Sequence, residues 1–266
     1  MNTSKTIYQV DAFSAVPFKG NPAGVCILDS EISVNRMQNL AMEMNLAETV
    51  FVLPVEDGYK LRFFSPETEI KLCGHATLSA SHILYETGMV DSREEIKFAC
   101  KAGGLVVKKR GNWIIMDFPS YKIEKIDKKE EFRKITRIDP VELYKTNAGW
   151  YLALMRNESD VKSLHPDFES MRNSEYGDIM VTAETDDQKF DFCVRCFAPG
   201  FGIDEDPVTG SAHCALVPFW KMKTGRNDFI SHQVSKRGGI LKVSMKDDRV
   251  EISGHAKTVF RTEILV

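Results

Sequence analysis

Apolar and polar residues alternate, or run apolar, in short bursts along most of this chain, and Gly, Pro and Asn punctuate the bursts. That is the pattern of strands joined by tight turns. Thr6–Phe13 and Ala23–Leu28 read as strands, with Gly20-Asn21-Pro22 as the turn between them. Ser33–Met44 places Val34, Met37, Leu40, Ala41 and Met44 at helical spacing. Strands follow at about 48–54 and 60–65. A second helix is predicted from near Gly74 to Gly88, a glycine suited to the position after a helix end. Three strands then fit 94–100, 103–110 and 113–118, the last stopped by Pro119.

Lys122–Lys134 is dense in charge and poor in large apolar residues, so it is the expected passage between two lobes. After it the order recurs. Asn147-Ala148-Gly149 and the strand Trp150–Met155 echo Asn21-Pro22-Ala23-Gly24 and Val25–Leu28. A helical region is predicted near 159–173, with strands at 178–183 and 190–197. A helix from about Gly210 ends near Gly225, and Pro218 is expected to kink it or end it early. Strands fill 229–235, 239–246, 249–254 and 258–265.

The repeat is sharpest at two places. Phe64-Ser65-Pro66 leads to Cys73-Gly74-His75-Ala76-Thr77, and Phe197-Ala198-Pro199 leads to Asp206-Pro207-Val208-Thr209-Gly210-Ser211-Ala212-His213. In both, an aromatic strand end, an acidic loop and a Gly open an apolar helical run. Ala76–Leu84 and Ala212–Trp220 are apolar nearly all round, as a helix enclosed by a sheet must be. The expected class is therefore α+β, with two similar lobes of mixed or antiparallel sheet, each around a buried helix. The lobes are placed at 1–120 and 121–256, with 257–266 returning to the first.

Composition narrows the function. The 266 residues are 43% hydrophobic and 27% charged with net charge −3, which is ordinary for a globular protein and gives no footprint for nucleic acid. No apolar run has the roughly 18 residues needed to span a bilayer, so no membrane partner is expected. The polar start Met1–Thr6 does not read as a signal peptide. The six cysteines, Cys26, Cys73, Cys100, Cys193, Cys196 and Cys214, are read as reduced thiols of a cytoplasmic protein.

The strongest candidate chemistry lies where the two halves repeat. Small residues at a helix start let a ligand approach free backbone N–H groups, which favour a carboxylate or phosphate. Thr77 and Ser211 add hydroxyls there, although capping by Asp206 and Thr77 would also account for these residues. Glu48 enters an apolar strand, where desolvation suits a carboxylate to general acid/base work; a solvated strand-edge glutamate is the plain alternative. His75 can orient a substrate or shuttle a proton, while His82 and His213 fit packed helix positions. Cys193-Val194-Arg195-Cys196 lies in a predicted strand without a second ligand pair, so no metal is expected. Neither nucleotide-binding glycine loop nor nucleophile elbow is present.

Gly20-Asn21-Pro22-Ala23-Gly24-Val25, Asn45-Leu46-Ala47-Glu48-Thr49-Val50-Phe51, Arg62-Phe63-Phe64-Ser65-Pro66-Glu67-Thr68-Glu69, Cys73–Leu78 and Asp206–Ala212 together resemble the PhzF-like isomerases of phenazine biosynthesis. The resemblance implies the diaminopimelate-epimerase-like fold, with two pseudo-symmetric lobes, each a barrel-like, mostly antiparallel sheet around a central helix. It places the active site in the cleft between them. It further implies a cofactor-independent isomerase of a small carboxylate-bearing substrate, expected to be a homodimer. On that likeness Glu48 moves the proton and His75 and Asp206 assist. Asn21, Gly74, Ala76, Thr77, Gly210 and Ser211 would contact the substrate. Cys73-Gly74 also resembles the Cys-Gly of two-thiol epimerases and racemases, but Asp206-Pro207 stands where the second thiol belongs. That alternative ranks second, and a catalytically silent binding protein on the same fold is a third.

Overall fold

The computed structural model describes residues 5–264. Among them the chain forms two compact units: one runs to Asp117 and resumes at Ser253, and the other spans Phe118–Ile252.

The first unit contains β1 (Lys5–Ala12), β2 (Asn21–Ile27), α1 (Val34–Met44), β3 (Glu48–Val55), β4 (Gly58–Phe64), the short β5 (Glu69–Ile70), α2 (Gly74–Glu86), β6 (Ile96–Cys100), β7 (Gly103–Arg110) and β8 (Trp113–Pro119). β1 pairs antiparallel with β2, β2 parallel with β3, β3 antiparallel with β4 and β4 parallel with β6; β6, β7 and β8 follow antiparallel. The last strand of the chain, Ala256–Ile264, pairs antiparallel with β1.

The two helices of this unit differ as their sequences do. α1 buries Met37, Leu40 and Ala41 against Ile7, Leu28, Phe51 and Phe64, and leaves its other face exposed. α2 is buried at almost every position from His75 to Tyr85 and packs on β1, β2, β3 and the last strand. Its hydroxyls are satisfied within the helix: Thr77 donates to the Cys73 carbonyl at 2.7 Å, Ser79 to His75 at 2.9 Å and Ser81 to Thr77 at 2.8 Å. This back-bonding is what lets a helix carrying polar groups lie in a core.

The second unit repeats the order. It contains β9 (Ile123–Lys125), α3 (Lys129–Thr136), β10 (Glu142–Thr146), β11 (Tyr151–Leu154), α4 (Glu158–Lys162), α5 (Phe168–Arg172), β12 (Ile179–Glu184), β13 (Phe192–Ala198), β14 (Ile203–Asp206), α6 (His213–Thr224), β15 (Asp228–Gln233), β16 (Gly239–Lys246) and β17 (Arg249–Gly254), so the last strand is β18. β10 pairs antiparallel with β11, β11 parallel with β12, β12 antiparallel with β13, β13 parallel with β15 and β15 antiparallel with β16. Those are the orientations of the first unit in the same succession. β9 flanks β10 as β18 flanks β1. β5 and β14 are matching hooks on the ends of β4 and β13. Thr49 opposes Phe64 in one unit and Ile179 opposes Phe197 in the other, so Asp178 holds the position that Glu48 holds.

Four details depart from the sequence-based expectations. The helical region near 159–173 is two short helices, separated where Pro166 interrupts the backbone ladder. Asn157 caps α4 and Asp167 caps α5. Lys122–Lys134 is not a bare passage: it holds β9 and most of α3, which buries Phe132 completely. α6 begins at His213 rather than Gly210, because residues 210–212 wind with three-residue hydrogen bonds first. Pro218 does not end this helix early. The Cys214 carbonyl, which a residue with an N–H at 218 would have bonded, accepts from the Tyr121 amide at 2.7 Å instead. Among the described residues no helix is long and apolar enough to cross a membrane.

Candidate active site

Glu48 opens β3, where parallel pairing sets it beside Ala23 of β2. The start of α2 brings Cys73 and His75 to the same place. His75 Nε2 lies 2.9 Å from Glu48 Oε2, and both side chains are largely buried, 8% and 15% exposed. On the other side of the ring, Cys73 Sγ lies 3.3 Å from His75 Nδ1. Glu48 Oε2 is shielded from solvent yet takes no well-aligned hydrogen bond. The 2.9 Å contact with His75 is an ion pair that leaves Oε2 a lone pair for a proton.

The electrostatics are those of a coupled buried group. Burial works to raise the Glu48 carboxyl, but the charge and hydrogen-bonding capacity of His75 outweigh it and hold the group below the ordinary carboxylate range. Burial opposes the His75 cation, yet Cys73 and Glu48 carry its pKa well above that of a free imidazole. Burial first, then the Glu48 charge, pushes the Cys73 thiol up, so near neutral pH the favoured state is a thiol, an imidazolium and a carboxylate.

Glu48, Cys73 and His75 offer donor atoms within 4.8 Å of one another, and by type they suit zinc. Motif spacing did not reveal this cluster, since Glu48 comes from a different element. The directions do not suit a shared ion, however. Cys73 is nearer Nδ1, at 3.3 Å, than Nε2, at 3.9 Å, whereas Glu48 meets Nε2 at 2.9 Å. The sulfur and the carboxylate thus lie nearest different ring nitrogens.

The remaining predicted residues of this unit fall into two groups. Gly74 begins α2, and a Cβ there would meet nothing within 4 Å, so the approach to the first turn is open. Cys73, at the N-cap, makes no side-chain capping bond. The first turn thus presents N–H groups and the positive end of the helix dipole to an anion. Ala76 and Thr77 are fully buried, and the Thr77 hydroxyl is committed to the Cys73 carbonyl, so neither offers a side-chain donor to a ligand. Asn21 is also buried, at the start of β2 and opposite Ala12.

In the second unit Asp206 ends β14, and its carboxylate accepts from the Thr209 hydroxyl. Gln233 clamps this loop: its Oε1 accepts from the Thr209 amide and its Nε2 donates to the Asp206 carbonyl, both at 2.8 Å. Ser235 donates to the Pro207 carbonyl at 2.6 Å. His213 Nδ1 donates to the Thr209 carbonyl at 3.0 Å, so Nε2 accepts from Ser231 at 2.8 Å. Burial pushes His213 down to about 4, and it serves as a neutral brace. Gly210 is buried in this turn and Ser211 is exposed. Gln233 carried no motif signal. A lone glutamine ending a strand gives no hint that both of its amide atoms are engaged.

The comparisons with known proteins agree with this architecture. The family model described as phenazine biosynthesis-like protein matches residues 10–262. A relative from Halalkalibacterium halodurans, named an uncharacterized isomerase, is 44% identical over 98% of both chains. The crystal structure of a PhzF-family protein from Enterococcus faecalis superposes with a TM-score of 0.94 at 36% identity, covering 99% of this chain and 100% of that one. A probable proline racemase from Agrobacterium radiobacter shares the fold alone, with a TM-score of 0.67 at 11% identity over 98% of this chain and 92% of that one. The fold is diaminopimelate-epimerase-like, of class α+β.

Proposed function

Since this chain belongs to the phenazine biosynthesis-like (PhzF) family, we propose that it is an isomerase that moves a proton on a small carboxylate-bearing substrate, with Glu48 as the general acid/base. The observation that carries this reading is the Glu48–His75 contact: a buried carboxylate, held ionised by a facing imidazolium, with an oxygen that no aligned hydrogen bond occupies.

The Glu48 carboxylate takes a proton from an activated carbon and becomes a carboxylic acid. The electron pair of that C–H bond passes into the substrate as an enolate-like anion. The anion is offset by His75 and by the first turn of α2, groups already oriented before the charge develops. Glu48 then returns the proton to a different carbon, so no atom is gained or lost. The open space over Gly74 admits the substrate carboxylate to the helix start. A homodimer and a cytoplasmic location belong to the same reading.

The test is solvent-deuterium uptake into a panel of small amino and hydroxy acids, read by mass spectrometry. Label should appear with the natural protein and fall by about 10²–10⁴ with Glu48→Gln. Undiminished labelling by that variant removes Glu48 from the chemistry. The contact of Cys73 with His75 favours a second reading, a thiol-based epimerase. It lacks a partner thiol: Cys214 lies inside α6, where burial pushes it up to about 12.

A further inference from the structure

The reading above gives Cys73 no task, yet its thiol is nine-tenths buried and faces the one ring nitrogen of His75 that Glu48 does not. The two neighbours differ in what they can do. A carboxylate only accepts, whereas a thiol donates through S–H and accepts through sulfur. In the imidazolium both nitrogens carry protons, and Nδ1–H points to sulfur. When His75 loses a proton there are two choices. A bare Nε2 would set two acceptors 2.9 Å apart, a repulsive arrangement in a buried site. A bare Nδ1 simply reverses its bond, with the Cys73 S–H turning to donate. The thiol is carried on a fixed backbone: Cys73 is extended at the N-cap, and its carbonyl accepts from the Thr77 amide and hydroxyl.

We infer that Cys73 is a positioning residue: by meeting Nδ1 as either donor or acceptor, it confines the exchange of the His75 proton to that nitrogen and keeps Nε2–H against Glu48. This inference rests on Glu48 being the acid/base of the isomerase and gives the thiol a role without covalent chemistry. It also separates two tasks within one imidazole. Nε2–H keeps a donor against the ionised base, while Nδ1 gives up and regains the ring's proton, and the cation's charge goes with that proton. Among the described residues, Cys73 and Glu48 are the titratable groups in contact with this ring. A serine keeps the dual donor–acceptor character at this position, and an alanine removes it.

The experiment is nitrogen-15 NMR of the histidine-labelled full chain across pH, with His75 identified by the signals lost in His75→Gln. In the natural protein and in Cys73→Ser, the neutral His75 is expected to carry its proton on Nε2. In Cys73→Ala it should show mixed tautomers. Deuterium uptake is measured beside it: Cys73→Ser should stay within about threefold of the natural protein and Cys73→Ala should fall by about tenfold or more. A neutral His75 protonated on Nδ1 in the natural protein overturns the inference. So does a Cys73→Ala spectrum identical to the natural one, or complete loss of labelling in Cys73→Ser. If Cys73→Ala does not fold, the natural protein and Cys73→Ser decide the matter alone. Labelling that survives Glu48→Gln overturns the assignment of Glu48 but leaves the tautomer measurement standing, so the two failures are told apart.

Discussion

Glu48 Oε2 and His75 Nε2 meet at 2.9 Å from two separate elements, the first residue of β3 and the first turn of α2. The pair sets a pH dependence. The Glu48 pKa is depressed in the folded chain, so the base form persists below the ordinary carboxylate pKa of about 4.3. Deuterium uptake should therefore stay level down to that region and fall only as pH drops through the depressed value. In His75→Gln the cation is gone and burial is opposed only by the Cys73 hydrogen bond, so the acid limb should move to higher pH. A pH profile of labelling for both proteins checks the direction; an unmoved limb removes His75 as the cause.

The Gln233 clamp is a stability prediction for the second unit. Gln233 is fully buried, with both amide atoms bonded to the Asp206–Thr209 loop. Gln233→Leu keeps the bulk but strands a buried amide N–H and a carbonyl. The expected loss is about 3 kcal/mol of unfolding free energy, read from urea melts. A change below about 0.5 kcal/mol, the size of an ordinary surface substitution, shows that water or a relaxed loop replaces the clamp.

Gly254 is required by packing. A Cβ at this position would sit 2.4 Å from the Phe13 ring and 2.8 Å from Leu78 of α2. Gly254→Ala should cost about 1–3 kcal/mol by overpacking. Adding Phe13→Leu should return part of that cost, giving a non-additive cycle in thermal or urea unfolding. Strict additivity of the two substitutions argues that the close approach relaxes elsewhere.

Asp178, the positional counterpart of Glu48, faces no cation among the described residues, and burial raises its pKa to about 6. A carboxyl whose folded pKa is raised favours the folded state while protonated. Its cost is absent below the unfolded pKa, grows as pH rises from there to about 6, and stays constant above. Asp178→Asn should therefore gain stability at pH 7 by about 1 kcal/mol, a figure reduced for a half-buried, partly screened site, with little gain near pH 4. Equal gains at both pH values would mean that charge is not the cause.

The repeated halves, the two mostly apolar helices and the residues at their starts were legible in the sequence, because each rests on local causes. Strand alternation, helical spacing and glycine at a helix start all act within a few residues. Glu48, His75 and Asp206 stood out for the same reason: polar residues at the edges of apolar elements. What the fold alone decided are the pairings between elements. That Glu48 meets Nε2 while Cys73 meets Nδ1 depends on the parallel register of β2 and β3 and on the angle at which α2 enters the sheet. That Pro218 is tolerated because Tyr121 bonds the orphaned carbonyl, and that Gln233 clamps a distant loop, are likewise long-range matters. Local propensity selects the elements. Satisfying most buried donors and acceptors at once decides which side chains face one another, and that condition exists only when the chain is folded.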